Sequence, residues 1–511
     1  MEKKIVNNRY YPSLIFVAII GIVSFSIRMY FFPFEIPLVM DSLLYFWYAN
    51  DINILGTFPN TYDLPNNMWP TIVSVFFAMS DSNNYLDYMN IQRSIAVAFS
   101  ILTIIPMYYL SRRFFGQTIS ILATAFIAFA PRLILNSFLG VTESLFVFLI
   151  TTVLWLFLSS NKKIIILSFA VAAIFSLVRY EGVLIIIPMT IIYFVRFRRD
   201  SIDLKKYFLA IAIFVLVLLP MSAVKIDTMG YDGIFSHVNA GMSVVTENNF
   251  LNEDPDKRKF FPDLAIGSII QNLIWVMIPT FIIFMPLGIF YLFKKRDYKK
   301  NSLILFIIVL AIPELYAFGR GIQDFRYMLD LFPIFTLISL FAIDRISKNM
   351  EKRNLILVII IISLIFMSAG VIKYKENFEH ENEAYKIALE TNDVFNVINN
   401  HYPEEAFRRV TVIEQHGEFP LLREEVTNHT KFLPYSNSQN IEEFINNNRS
   451  NGLEHIVVDS NPKRPDFIKD ILENEEKFLY LEKIYDSKEK NYEYDFKIFK
   501  IDFKEFDIIN P

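Results

Sequence analysis

The chain has 511 residues, is 53% apolar and 16% aromatic, and carries a formal net charge of −4. That charge conceals a split, because the balance from residue 373 onward is −11 and the preceding 372 residues carry +7. No broad basic face remains away from the apolar segments, which excludes a nucleic-acid binder, and the lack of cysteine excludes disulfides, thiolate metal sites and a cysteine nucleophile.

Long uncharged runs place residues 1–372 among polytopic membrane proteins. Lys3, Lys4 and Arg9 precede an apolar stretch at 14–34 that is too long for a signal h-region and lacks a small-residue cleavage site. It predicts a retained first helix. Further spans are predicted near 90–111, 117–136, 143–158, 162–178, 182–197, 206–224, 266–293, 301–318, 327–343 and 354–372, about eleven transmembrane helices in all. Some are shorter than a full crossing needs. With a cytoplasmic N-terminus, the inside loops hold Arg112-Arg113, Lys162-Lys163, 196–206, 294–300 and 345–353, every one basic, as the positive-inside rule requires. The first loop (35–89), the turns near 131–143 and 179–182, the loop at 225–265, the turn at 319–326 and the acidic tail then lie outside.

The first exterior loop is the unusual one. No Lys or Arg occurs between Arg28 and Arg93, whereas Asp41, Asp51, Asp63, Asp81 and Asp87 do. Most of these acids read as ordinary loop chemistry. Asp41 differs, because it follows the first span and precedes the apolar run Leu43-Leu44-Tyr45-Phe46-Trp47-Tyr48; partial burial beside Phe46 and Trp47 is expected, and a carboxylate held at a membrane boundary is a functional hypothesis by default.

The tail, 373–511, changes register and reads as a small extracytoplasmic α/β domain. Strands are predicted at Val410-Thr411-Val412-Ile413, His455-Ile456-Val457-Val458, 480–485 and 494–501, with helices at 441–446 and 466–472. Two N-x-S/T sequons, at Asn428 and Asn448, suit an exterior surface.

Folded along this topology, the polar residues at span ends gather on one side. They are Asp41, Glu143 in Gly140-Val141-Thr142-Glu143-Ser144, Arg179 and Glu181 in Arg179-Tyr180-Glu181-Gly182, and Arg320, Asp324, Arg326 and Tyr327. Elsewhere the spans are expected to keep their charges at their ends. Carboxylates with arginines at membrane level suit an anionic lipid headgroup together with a general base: the guanidinium fork matches phosphate, and a carboxylate near a hydroxyl can take its proton. Each residue also has a structural reading. Arg179 and Glu181 pair with each other; Glu143 sits at a helix N-terminus where the dipole favours an acid; Arg326 snorkels to headgroups; Asn67 and Trp69 are interfacial anchors. No H-E-x-x-H, Walker A or G-x-G-x-x-G pattern occurs, and five of six histidines fall in the tail. No cofactor is expected. Asp51-Ile52-Asn53 is only a weak divalent-ion pattern, so metal dependence stays open.

These residues resemble the GT-C superfamily of integral-membrane glycosyltransferases, and within it the protein O-mannosyltransferase and aminoarabinose transferase branch (glycosyltransferase family 39 and relatives). The matching stretches are Met40-Asp41-Ser42, Asn66-Asn67-Met68-Trp69-Pro70, Thr142-Glu143-Ser144, Leu177-Val178-Arg179-Tyr180-Glu181-Gly182 and Phe325-Arg326-Tyr327, with a tail ending similar to archaeal members. Ser42 stands where protein mannosyltransferases often carry Glu after the loop Asp, and the W-W-D-Y-G motif of oligosaccharyltransferases is missing. The resemblance implies a transmembrane catalytic domain over 1–372, with 35–89 as its exterior catalytic loop, and an extracytoplasmic domain over 373–511. It implies transfer of a sugar, with inversion, from a polyprenyl (dolichyl) phosphate carrier to an acceptor hydroxyl of a protein, glycan or lipid. Asp41 and Glu143 are then the catalytic acids, and Arg179, Glu181, Arg326, Tyr327, Trp69 and Asn67 bind substrate. The competing function is a lipid-linked sugar flippase or transporter, which calls for a polar pathway at the bilayer midplane.

Overall fold

The structure, a computed structural model, describes residues 11–82, 84–197, 201–239, 262–277, 283–294, 297–322, 324–348, 350–375, 379–391, 397–399, 431–432, 438–461 and 464–510. Among these, seven helices are long and apolar enough to cross a membrane: Ser13–Tyr30, Tyr85–Ser111, Tyr180–Phe197, Asp203–Met229, Tyr298–Gly319, Phe325–Ser347 and Arg353–Tyr374. An eighth forms if Gln117–Ala128 and Pro131–Phe138, bent by 42°, make one span. The bend has a local cause. Ala130 is extended because Pro131 follows it, and the proline opens the second helix at its first turn.

The chain is thus a polytopic α-helical membrane protein, and among the described residues it has fewer full-length spans than the eleven expected. The predicted spans at 143–158 and 162–178 fall on helices of 15 and 17 residues, Glu143–Phe157 and Lys162–Val178. The one predicted at 266–293 falls on two helices, Pro262–Val276 and Phe284–Lys294.

Compactness divides the chain into two units: Met1–Phe32, Leu55–Phe76 and Ile91–Lys375 form the first; Pro33–Ile54, Phe77–Asn90 and Glu376–Pro511 form the second. In the first unit a buried arginine locks the N-terminal span. Arg28 donates to the carbonyls of Ser24 and Ala128 (3.3 and 3.0 Å) and to Ser100 Oγ (2.9 Å), and also bonds Ser24 Oγ. Its charge is dissipated over oxygens of three segments, which is what an arginine needs to be tolerated at zero exposure.

In the second unit the Met40–Leu55 helix buries Tyr45, Phe46, Trp47 and Tyr48. Phe46 packs on Trp47 and Phe77, each with ring centroids 5.5 Å apart; Trp47 meets Tyr85 at 5.7 Å, and Phe77 meets Tyr88 edge-on at 5.1 Å.

The tail contains a five-stranded sheet of order β2-β1-β3-β5-β4, with β1 Val397–Asn399, β2 Lys431–Phe432, β3 His455–Asp459, β4 Leu481–Asp486 and β5 Phe496–Ile501. β1 runs parallel to β2 and β3; β3, β5 and β4 pair antiparallel, with His455 opposite Lys500 and Asp459 opposite Phe496. β3 is buried along its whole length, as its continuous apolar run predicts for a central strand. The helices Ile441–Asn448 and Asp466–Glu473 pack Phe444, Ile445, Ile468 and Ile471 against it. A further helix, Glu379–Thr391, docks on the β4–β5 hairpin: Glu390 accepts from the Tyr485 and Tyr492 hydroxyls (2.7 and 2.8 Å), and Glu383 accepts from the backbone N–H groups of Glu493 and Tyr494. The predicted strand at Val410-Thr411-Val412-Ile413 and the sequon at Asn428 lie outside the described residues. Asn448 closes a helix and donates to Phe444 O.

Candidate active site

The strongest polar cluster of the first unit forms where two short antiparallel-running helices end. Lys162–Val178 ends at Arg179, which leaves the helix in extended conformation (φ −144°), and Glu143 opens Glu143–Phe157. Helix dipoles favour a cation at the first position and an acid at the second. Arg179 Nη1 donates to Glu143 Oε1 at 3.1 Å, and its Nε donates to Glu181 Oε1 at 2.6 Å. Both structural readings of these residues therefore hold: Arg179 pairs with Glu181, and Glu143 occupies a helix N-terminus.

The turn that makes this clasp depends on a glycine. Residues Tyr180–Ile185 form a 3-10 turn pressed onto the preceding helix, and a Cβ on Gly182 would meet Phe175 at 2.9 Å from its ring and 3.0 Å from its carbonyl oxygen. Phe175 in turn stacks on Phe146 with centroids 3.9 Å apart, and the Arg179 guanidinium lies over Phe146 at 5.6 Å and over Tyr327 at 5.1 Å.

Tyr327 and Arg326 come from a second 3-10 turn, Phe325–Leu331, capped by Asp324. Asp324 accepts from the Arg326 backbone N–H (2.9 Å) and from Arg326 Nε (2.6 Å). Glu143, Arg179, Glu181, Arg326 and Tyr327 all line one partly open pocket. These five predicted residues are brought together.

The others are placed differently. Trp69 is fully buried, and its Nε1–H donates to Gly140 O at 3.1 Å, an acceptor it shares with Gln92. Gly140 turns that carbonyl inward through a positive φ of 71°. Trp69 is thus a core residue of the first unit and neither an interfacial anchor nor a member of the pocket. Asn67 is buried too; its carboxamide lies between Leu64 O and Lys225 Nζ, so the amide oxygen faces the lysine at 3.3 Å. Asp41 stands in the first turn of its helix and is exposed, while Asp51, on the same helix, is 2% exposed. This reverses the expected burial: a helical period puts Asp51 on the face of Tyr48 and Trp47 and leaves Asp41 at the helix start.

Two features escaped the sequence reading. Glu314 and Asp330 are 2% and 6% exposed and line the same pocket, although both belong to membrane-spanning helices. The expectation that charges stay at span ends fails at these two residues. Their signal was available, since an acid inside an apolar span marks function by default.

The second feature is Lys225, fully buried near the end of Asp203–Met229, which pairs with Asp63 and donates to Leu64 O at 3.2 Å. His237 Nε2 lies 3.8 Å from the other Asp63 oxygen, and the His237 ring sits 5.1 Å from Tyr180 and 5.7 Å from Tyr231. The loop carrying Asp63 is thereby fastened next to the Arg179 turn, and Asn66 Oδ1 accepts from the Tyr180 N–H at 3.4 Å. Among the described residues, no three His, Cys, Asp or Glu side chains are grouped closely enough to hold a metal ion.

Comparison with known proteins gives a matching answer for the fold. The family described as dolichyl-phosphate-mannose-protein mannosyltransferase matches residues 89–223. No curated protein matches the chain. The apo oligosaccharyltransferase of Archaeoglobus fulgidus is similar over 88% of this chain and 70% of its own, with a TM-score of 0.58 at 12% identity. The same archaeon's oligosaccharyltransferase AglB, in complex with an inhibitory peptide and a dolichol-phosphate, gives 0.55 at 13% identity, again over 88% and 70%. ArnT from Cupriavidus metallidurans, bound to undecaprenyl phosphate, gives 0.53 at 11% identity over 95% of this chain and 97% of its own. The chain has the fold of these solved proteins; at such identities the likeness speaks for the fold alone.

The Asp63–Lys225 pair yields a pH prediction. Burial pushes the Asp63 carboxyl up, but Lys225, Tyr231 and His237 outweigh it and hold the group below its usual 3.8. A carboxyl lowered in the folded state stabilises above its unfolded value and loses that stabilisation as pH falls through the folded value. Asp63→Asn is expected to cost about 2–3 kcal/mol at neutral pH, because it strands a buried lysine while Asp63 itself is part-exposed. The melting-temperature gap to wild type in detergent should close below about pH 4. A gap constant across that range would remove the ion pair from the account.

Proposed function

We propose that this protein is a membrane glycosyltransferase that moves a sugar from a polyprenyl-phosphate carrier to an acceptor hydroxyl, with inversion at the anomeric carbon. The observation that carries the reading is the pocket at the helix ends, where Arg179 and Arg326 stand among carboxylates. It occurs in a fold whose solved examples include proteins bound to dolichol-phosphate and undecaprenyl phosphate. In this reading the acceptor oxygen attacks the anomeric carbon, the bond from that carbon to the carrier phosphate breaks, and the phosphate leaves with the electron pair. The acceptor's proton passes to a carboxylate base. The acceptor class is a protein, glycan or lipid hydroxyl at the outer membrane face, with the N-terminus cytoplasmic and the tail extracytoplasmic.

Roles follow from the observed engagement of each side chain. Arg179, clamped by Glu143 and Glu181, is the fixed point of the pocket, and Glu143 holds it there rather than acting as the base. Arg326, less buried, is assigned to the carrier phosphate, with Tyr327 beside it. Asp41 is assigned as the base. Its support is its exposure and the residue before it: Met40 has φ +48°, a conformation an unbranched L-residue adopts at a cost, and such strain collects at functional positions. Trp69 and Asn67 are assigned to the scaffold. The flippase alternative gains some support from Glu314 and Asp330 inside spans, but both face a small pocket rather than a continuous polar path.

Three outcomes are expected. Asp41→Asn should lower transfer by about 100- to 10,000-fold with donor affinity retained, as removal of a general base does, and Asp51→Asn should instead act through folding, being buried. Wild-type turnover by Asp41→Asn would move the base elsewhere. Arg326→Lys should weaken donor binding by about 1.5–3 kcal/mol, since lysine lacks the bidentate fork; an unchanged affinity in folded protein returns Arg326 to a headgroup anchor. A tag after Pro511 should be reached from outside intact cells and one within 196–206 should not, and the reverse labelling would overturn the orientation.

A further inference from the structure

The helices that build the pocket carry a second charged cluster at their other ends, and this one is cationic. The span Tyr180–Phe197 has Glu181 in its first turn and Arg196 in its last. Tyr298–Gly319 lines the pocket through Leu310, Pro313 and Glu314 and has Lys299 in its first turn. Arg113 joins them just beyond the span Tyr85–Ser111. Lys299 Nζ donates to Arg113 O at 3.0 Å, the Arg196 guanidinium lies 4.4 Å over the Tyr298 ring, and the Arg113 and Arg196 charges are near enough to repel. Arg113, Arg196 and Lys299 have no carboxylate partner among the described residues; Asp297 caps the same helix through the Lys300 N–H and pairs with none of them. Arg196 commits Nη1 and Nη2 to the carbonyls of Phe157 and Ser159 (3.0 and 2.8 Å). The Arg113 guanidinium makes no hydrogen bond among the described residues, and its Nε is buried without an acceptor. Lys299 also places a cation at a helix N-terminus, where the backbone dipole disfavours one. Like charges gathered from three spans, with a buried donor left open, point to an anion within reach of all of them.

We propose that Arg113, Arg196 and Lys299 form a phosphate site for the headgroup of an anionic phospholipid, at the opposite end of these spans from the pocket. The uncommitted Arg113 fork matches the paired oxygens of a phosphodiester, and the Lys299 ammonium has donors to spare beyond its bond to Arg113 O. A lipid supplies the phosphate better than solution does, because the cluster sits where membrane-spanning helices end, and basic recesses between such ends hold lipid headgroups. Beside Arg196, Val195 is 72% exposed and Ile191, a turn earlier, is exposed as well, which gives an acyl chain an apolar surface to follow. On the orientation proposed above this is the cytoplasmic leaflet. The inference goes beyond the glycosyltransferase reading and stands without it. A bound phosphate turns repulsion between Arg113 and Arg196 into a bridge between spans, two of which also build the pocket.

The test titrates the full-length protein in detergent with phosphatidylglycerol, with phosphatidylcholine and with inorganic phosphate. Binding is read by native mass spectrometry and by the shift of the melting temperature. Phosphatidylglycerol is expected to bind about 10-fold more tightly than phosphatidylcholine and to raise the melting temperature, while inorganic phosphate at equal concentration does not. Arg113→Gln should weaken phosphatidylglycerol by about 10-fold and Lys299→Gln by about 5-fold. Lys163→Gln and Lys205→Gln, which alter exposed cations at the same ends of neighbouring helices, should leave it unchanged. Arg113→Gln removes no side-chain hydrogen bond within the described protein, so without lipid it should melt no lower than wild type. The wild-type advantage should appear only with phosphatidylglycerol. Equal binding of the two lipids by wild type overturns the site, and that comparison needs no variant to fold. Equal losses in the Lys163 and Lys205 variants assign the binding to general surface charge and overturn it as well. A melting-temperature deficit of Arg113→Gln that is the same with and without phosphatidylglycerol makes Arg113 a structural residue and overturns its role. A shift given as readily by inorganic phosphate overturns the lipid as the ligand.

Discussion

The first unit's polar architecture depends on one requirement: a guanidinium taken out of water must be paired on more than one side. Arg179 meets it with Glu143 and Glu181. Its charge sits at a helix C-terminus and its partner's at a helix N-terminus, so backbone dipoles and Coulomb attraction act together. Removing one member of such a buried pair leaves the other charge uncompensated, at a cost of about 3–5 kcal/mol. The surrounding apolar residues obey the same requirement. The Phe146–Phe175 stack gives the guanidinium an aromatic floor, and Gly182 lets the turn approach closely enough to carry Glu181 there.

A second buried cation repeats the logic with a different result. Lys225 lies on a helix of which only 17% of the apolar window is buried, so most of that helix faces lipid while its ammonium turns inward. Pairing with Asp63 and Leu64 O converts an otherwise loose connection into a fixed one. Gly233, with φ +75°, brings the chain back against the lysine stem, where a Cβ would stand 3.0 Å from Lys225 Cγ. The loop between Leu55 and Met68 has little regular structure of its own and is positioned by this charge and by the Asn66 contact to the Tyr180 turn.

Much of this was legible in the sequence where periodicity or length decides. The long spans, the helical run around Phe46 and Trp47, and the tail helices and strands His455–Asp459, Leu481–Asp486 and Phe496–Ile501 all follow from apolar patterning. The grouping of Glu143, Arg179, Glu181, Arg326 and Tyr327 followed from placing short turns on one side of a topology. What failed was burial around single residues. Asp41 and Asp51 were told apart by their apolar neighbours in sequence, whereas helix phase decides which acid is covered. Trp69 resembles a membrane-interface anchor in sequence, and only the inward carbonyl of Gly140, more than 70 residues away, shows that its indole has a partner in the core. Glu314 was passed over because the apolar residues on either side dominate the span's hydropathy.

The Glu143–Phe157 helix has 15 residues, which extends about 22 Å at the usual rise, while a hydrocarbon core is about 30 Å thick. Most of this helix is buried among other parts of the unit, so the shortfall cannot be met simply by lipid closing over its ends. One end of the helix is then recessed below the headgroup plane, or the bilayer thins to meet it. In the proposed reaction, a carrier phosphate bound at the Glu143 end would leave the plane of its neighbours by a distance the membrane sets. Bilayer thickness, which varies with lipid composition, thereby becomes a variable of the site itself.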